Sequence, residues 1–152
     1  MSLSPAAREL RLIWLTCNAL DPFHIQLVAA KSGLDCELHI LDQTSKSLWK
    51  ASAIVRTGEP LPAMVVLEQP AGGGSIDVAA IRGRPSLRGL PIVVLGDPKN
   101  ADAELRAYGS GADKFIPLPA SDSTVDRLSR DIAQFWRHPN PPQGAAGIAK
   151  GA

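Results

Sequence analysis

The sequence is poor in the features that most directly signal function. It holds two cysteines in 152 residues, Cys17 and Cys36, too few for a disulfide framework. Cys17 falls at the end of the first strand candidate and Cys36 at the start of the second. If those strands are parallel neighbours, the sulfurs lie at opposite ends of a sheet. Five strand residues span about 16 Å, whereas bridged Cα atoms sit about 5.5 Å apart. Two unbridged thiols and a reducing, cytoplasmic setting are therefore expected. Charge of one sign is also lacking: 16 Lys+Arg against 15 Asp+Glu leave a net +1. That balance argues against a broad phosphate-binding surface, so no nucleic-acid partner is expected. No apolar run approaches the ~20 residues of a membrane span, and no stretch reads as a secretion leader, so no membrane partner is expected either.

What is present suits one soluble-type domain, with 45% hydrophobic and 20% charged residues in usual proportions. Short apolar runs alternate with helical patterns. Strands are predicted at residues 10–15, 36–41, 63–67, 91–95 and 114–118. The continuous run AMVVL suggests a strand buried on both faces, and Pro117 implies a sheet edge or bulge in the fifth strand. Asp21 and Pro22 open a first helix as N-cap and first residue, with Phe23, Leu27 and Ala30 or Lys31 near one face and Gly33 as the stop. Further helices are predicted at 44–57 (Leu48, Ala51 or Ser52, and Val55 inward), at 76–81 with Ser75 as cap, at 100–108 ended by Gly109 and Gly111, and at 122–137. The last places Val125, Leu128, Ile132 and Phe135 on one face, with Asp126–Arg130 and Arg127–Asp131 as i,i+4 pairs. Such alternation implies a parallel sheet with helices on both faces. Residues 1–8 read as a loose leader, 9–138 as the domain, and the Pro/Gly/Ala-rich 139–152 as a tail or linker.

Two stretches carry a resemblance. Residues 62–97 run PAMVVLEQP, a glycine loop, then SIDVAAIRGRPSLRGLPIVVLGD. Residues 107–119 read AYGSGADKFIPLP, similar to an A-x-x-x-G-A-D-D-[YF]-[LIV]-x-K-P segment. In this order they resemble the receiver domain of bacterial two-component response regulators, over roughly residues 10–137. The resemblance implies an α/β fold: a three-layer, doubly wound (βα)5 sandwich with a five-stranded parallel sheet in the order 2-1-3-4-5, flavodoxin-like. It also implies where chemistry belongs. Receivers take phosphate from a phosphohistidine onto an Asp ending the third strand. Mg²⁺ bridges that Asp, an acidic pair ending the first strand, and the phosphoryl oxygens. A Thr or Ser and a Lys ending the fourth and fifth strands then hold the phosphate.

Carried over by position, every chemical residue differs. The acidic pair falls on Thr16 and Cys17, the phospho-acceptor on Glu68, the Thr/Ser on Gly96, the Lys on Leu118 before a retained Pro119, and the switch aromatic on Phe115. A thiol is a poor Mg²⁺ ligand, and a lone carboxylate without a cation beside it does not assemble an octahedral site. The reading is a pseudo-receiver: a non-enzymatic signalling module with no cofactor and no metal. It would act by binding a protein partner, with a homodimer through the fourth helix, fifth strand and fifth helix as a candidate. Arg106, Lys114, Phe115, Arg127 and Arg130 are the candidate interface residues. Two alternatives stand beside it: an unorthodox phospho-acceptor or metal-dependent receiver built on Glu68, Asp97 and Asp21, and a small-ligand sensor at the vacated strand ends.

Single residues carry competing readings. Glu68 is either a built-in phosphomimic or a solvated carboxylate at a strand end. Asp97 before Pro98 reads as a turn starter and Asp21 as a cap. Cys17 is a small packed residue or a redox-sensitive thiol. His24 and His39 lack metal-ligand spacing. The run Gly72, Gly73, Gly74 lacks a following G-K-[ST] and reads as a loop. Trp14 reads as core, while Trp49 and Trp136 pack or serve a contact surface.

Overall fold

A computed structural model describes residues 9–58, 60–69, 76–118 and 123–138. The leader, the glycine run with Ser75, Pro119, Asp122 and the tail lie outside the described residues. Five strands, β1 (Leu10–Leu15), β2 (Cys36–Leu41), β3 (Ala63–Gln69), β4 (Ile92–Gly96) and β5 (Lys114–Pro117), alternate with α1 (Pro22–Lys31), α2 (Ser45–Arg56), α3 (Val78–Arg82), α4 (Ala101–Gly109) and α5 (Thr124–Arg137). The strands form one sheet in the order β2-β1-β3-β4-β5, parallel at every pairing. This is the three-layer fold that the resemblance implies. Leu10 pairs with Cys36 in register while Cys17 lies beyond the far end of β1, and the two cysteines are unbridged.

The period-2 alternation of a strand divides the interior into two cores. Leu10, Leu12, Trp14, Met64, Val66, Val93, Leu95 and Ile116 face Ile25 and Val28 of α1 and Leu128, Ile132 and Phe135 of α5. Ile13, Leu15, Val65, Leu67, Ile92, Val94 and Phe115 face Leu48 of α2, Ile81 of α3 and Ala107 of α4. β1 and β4 are buried along their length, and so is β3 up to Glu68. That explains why these strands read as continuous rather than alternating apolar runs.

Several expectations are corrected. The inner face of α1 is Ile25, Val28 and Ala29 rather than Phe23 and Leu27; Phe23 is 64% exposed. The true stripe keeps the i, i+3, i+4 spacing and continues to buried Ser32. Asp77, not Ser75, caps α3 by accepting from the Ala80 N–H. β3 and β4 run on to Gln69 and Gly96, and β5 stops at Pro117 before Leu118. Gly109 is the last residue of α4 rather than its stop; Gly111, at φ +110°, turns the chain. Asp126 reaches across to Lys31 of α1 at 2.6 Å instead of pairing with Arg130, while Arg127 and Asp131 do approach, at 3.7 Å.

Two arginines unmarked in the sequence hold the opposite end of the sheet from the candidate site. Arg11, 6% exposed within β1, donates to Glu37 on β2 and to the Ile54 carbonyl. Arg82 commits its whole guanidinium, donating to the carbonyls of Gly111, Arg88 and Leu90 and to Asp113. It thereby ties α3 to the turns that start β4 and β5. At the β5 edge, the Leu118 amide donates to Gly96, so by alternation the Phe115 amide points outward. It is met by the Tyr108 hydroxyl at 3.0 Å. Pro117 has no N–H, so this edge offers few donors to an added strand.

Candidate functional site

The carboxyl ends of β1, β3, β4 and β5 converge where open α/β sheets place their chemistry. Glu68 lies there on β3, on the same face as Trp14, whose register partner is Val66. It is wholly buried, at 0% exposure, which corrects the expectation of a solvated carboxylate. Its oxygens are met on all sides by donors. The Trp14 indole donates to Oε2 at 2.7 Å. The Thr16 hydroxyl lies 3.1 Å from both oxygens. The amides of Cys17 and Ala19 each donate to Oε1 at 3.0 Å, and the Cys17 thiol lies 3.6 Å from that oxygen.

Local backbone shape builds this cradle. Asn18 is left-handed, at φ +73°, a conformation asparagine tolerates better than most residues. The reversal aims the flanking amides of Cys17 and Ala19 at one point, forming an anion-binding nest. The Thr16 hydroxyl accepts from the Asn18 amide at 3.0 Å and so fixes the turn from within. On the main-chain side, the buried Gln43 amide donates to the carbonyls of Leu15 and Glu68 at 3.1 and 2.5 Å. Burial first, and then the neighbouring Glu68 charge, push the Cys17 thiol up from its ordinary range. That suits a packed thiol rather than a reactive one.

The far side of the site is apolar. A Cβ added to Gly96 would overlap Cε1 and Cζ of Phe115, so the ring occupies the space that a side chain at 96 would need. Phe115 is 7% exposed. Leu118 packs against the core shared with α1 and α5. Asp97 accepts from the Lys99 amide at 2.8 Å, and Asp21 accepts from the His24 amide at 2.8 Å, which holds its carboxyl below the usual range. Both make the turn and cap contacts their sequence context suggests, and neither hydrogen-bonds with Glu68. Among the described residues no group of three His, Cys, Asp or Glu side chains could hold a metal. The Mg²⁺ that the resemblance implies does not fit here: a cation needs oxygen acceptors, and what converges on Glu68 is a set of N–H and O–H donors.

The candidate interface residues do not share one patch. Lys114 and Arg127 line an open groove of about 280 Å³ with Pro117, Asp131, Gln134 and His138. Phe115 reaches that groove but is mostly buried. Arg106 is exposed on α4, and Arg130 is exposed on the side of α5 that carries Asp126, outside the groove lining. Trp14, rather than being only core, is the chief missed residue of the site. The available signal was its strand parity with Glu68, which puts an indole N–H on the face of a carboxylate in a run too apolar to be wet.

No family model and no curated protein matches the sequence. Solved structures do. A response regulator receiver domain from Rhodospirillum rubrum superposes with a TM-score of 0.64 at 18% identity, covering 84% of this chain and 93% of the other. The phosphorylated cyanobacterial phytochrome response regulator RcpA gives 0.62 at 20% identity, with 86% and 94% covered. A CheY-like protein, TadZ, from Pseudomonas aeruginosa gives 0.52 at 18% identity, with 82% and 93% covered. The chain has the fold of two-component receiver domains.

Proposed function

We propose that this chain is a receiver scaffold that works by binding protein and accepts no phosphoryl group. The observation that carries the reading is the saturated carboxylate of Glu68. Acyl phosphate formation needs a carboxylate oxygen with a lone pair open to attack phosphorus, space for three phosphoryl oxygens, and positive charge to offset them. A carboxylate has about four acceptor sites. Here Trp14, Thr16, Cys17 and Ala19 engage them, and no cation stands among these donors.

Glu68 on this reading is an anchor for the loop between β1 and α1 and not a mimic of phosphate. Its partners come from the β1 end, and Gly96 and Leu118 offer its carboxylate no side-chain donor. Gly96 leaves free the space that the inward Phe115 ring fills, and the packing of that ring in the core favours one standing conformation over a switch. The alternatives based on Asp97 and Asp21 lose support because both carboxylates serve local turns. Leu105 and Tyr108 are exposed on α4, and the Tyr108 hydroxyl meets the amide of Phe115, which makes the exposed side of α4 a candidate for self-association. Sedimentation equilibrium of wild type against Leu105→Glu tests it, an unchanged mass excluding this face. The unbridged cysteines suit a cytoplasmic setting. Intact-mass analysis after incubation with acetyl phosphate and Mg²⁺ tests the central reading.

A further inference from the structure

α2 breaks the charge rules of an isolated helix. It carries Lys46, Lys50 and Arg56 and no acidic residue. Thr44 is the N-cap, so Lys46 sits in the first turn, where the helix dipole disfavours positive charge. Lys46 and Lys50 are also four apart, a like-charge pair that repels. At 100° per residue Lys46, Trp49, Lys50, Ala53 and Arg56 fall within one arc, and all are exposed. Among the described residues none of the three cations has an acid within ion-pair distance. Asp42, whose charge is felt at Lys50, accepts from the Thr44 and Ser47 hydroxyls.

Trp49 stands in the middle of this stripe with 65% of its surface exposed. It is braced from outside the helix: the Arg84 guanidinium, in the turn after α3, lies 4.0 Å from the ring centroid. Arg84 Nε is buried with no acceptor among the described residues. An exposed tryptophan with an arginine against it has the residue types enriched at interface hot spots, and the lysines around it suit the polar rim.

We propose that the outer face of α2, with Arg84, is a docking surface for an acidic helical segment of a partner protein. From Lys46 to Arg56 is about 15 Å along the axis, or three turns of an opposing helix. Acids spaced at i, i+4 and i+11 on that helix would meet the three cations, and an apolar residue between them would cover Trp49. Charge complementarity names the partner: it would relieve the Lys46–Lys50 repulsion that the chain bears alone. Protein is favoured over single-stranded nucleic acid because Arg84 already covers one face of the ring on which a base would stack. The inference rests on the binding-scaffold reading and names its partner's chemistry. The phosphodonor experiment judges that reading without reference to α2, so the two can fail separately.

The test uses the full chain and a fluorescein-labelled helical peptide with Glu at i, i+4 and i+11 around a central Leu. Fluorescence anisotropy should show saturable binding that weakens with salt. Lys46→Glu and Trp49→Ala should each weaken it at least about tenfold with unchanged circular dichroism, while Arg106→Glu on α4 should not. Absence of saturable binding would overturn the proposal. So would wild-type affinity in Lys46→Glu and Trp49→Ala, equal loss in Arg106→Glu, or tighter binding of an oligo-dT strand or of phosphatidylglycerol vesicles than of the peptide.

Discussion

At the scale of single residues, the site is one buried carboxylate and the donors that surround it. Removing Glu68 leaves the Trp14 indole, the Thr16 hydroxyl and two amides without their acceptor, and each buried unmet group costs about 1–3 kcal/mol. Glu68→Ala should therefore lower stability by about 3 kcal/mol or more in urea unfolding. Glu68→Gln, which keeps one acceptor oxygen, should cost about half as much. Equal costs for the two would mean that the donors play no part. Gly96→Thr should destabilise by about 1–3 kcal/mol by driving a side chain into the Phe115 ring. The same substitution in a Phe115→Ala background should cost clearly less, because the two positions share one space; additive losses would contradict the packing seen.

Among elements, α2 is where stability and the proposed binding conflict. Lys46→Glu puts an acid in the first turn, four residues before Lys50, so a repelling pair becomes an attracting one with the acid on the N-terminal side. It should raise unfolding stability by about 0.5–1 kcal/mol, measured by thermal or urea denaturation; a loss would show that Lys46 serves the fold. The elements were also the best-read part of the sequence. The cap at Asp21, the apolar runs of β3 and β4, and the edge proline of β5 all act locally, so residue order alone revealed them. The inner face of α1 was misread because it is short and apolar on several sides, so Phe23 and Ile25 compete as anchors. What stayed hidden depends on contacts distant in sequence. The donors to Glu68 come from residues 14–19, and the Arg82 clamp joins α3 to turns as far away as Asp113. Glu68 itself was legible as a position. Its burial was not, because that depends on a loop shaped by one left-handed asparagine.

Over the whole molecule, the small net charge conceals two effects. Among the described residues, four carboxyls are held below their usual range: Asp21 through the His24 amide, Glu37 chiefly through His39, Asp42 through Ser47, and Asp126 through Lys31. A depressed folded-state pKa contributes stability above the unfolded value, and that contribution is lost as pH falls through the folded one. The urea midpoint should thus hold near neutrality and fall as pH drops below about 4; a rise there would contradict these contacts. The second effect is an uneven surface, with cations on α2 that meet no acid among the described residues and the carboxyl end of the sheet closed by its own hydrogen bonds. The chain has the receiver sheet, and at the carboxyl end of that sheet Glu68 is buried and held by its own donors. The most direct measurement is the intact mass of the protein after acetyl phosphate and Mg²⁺. An unchanged mass is the expected result, and the gain of one phosphoryl group, mapped to Glu68, would contradict the account.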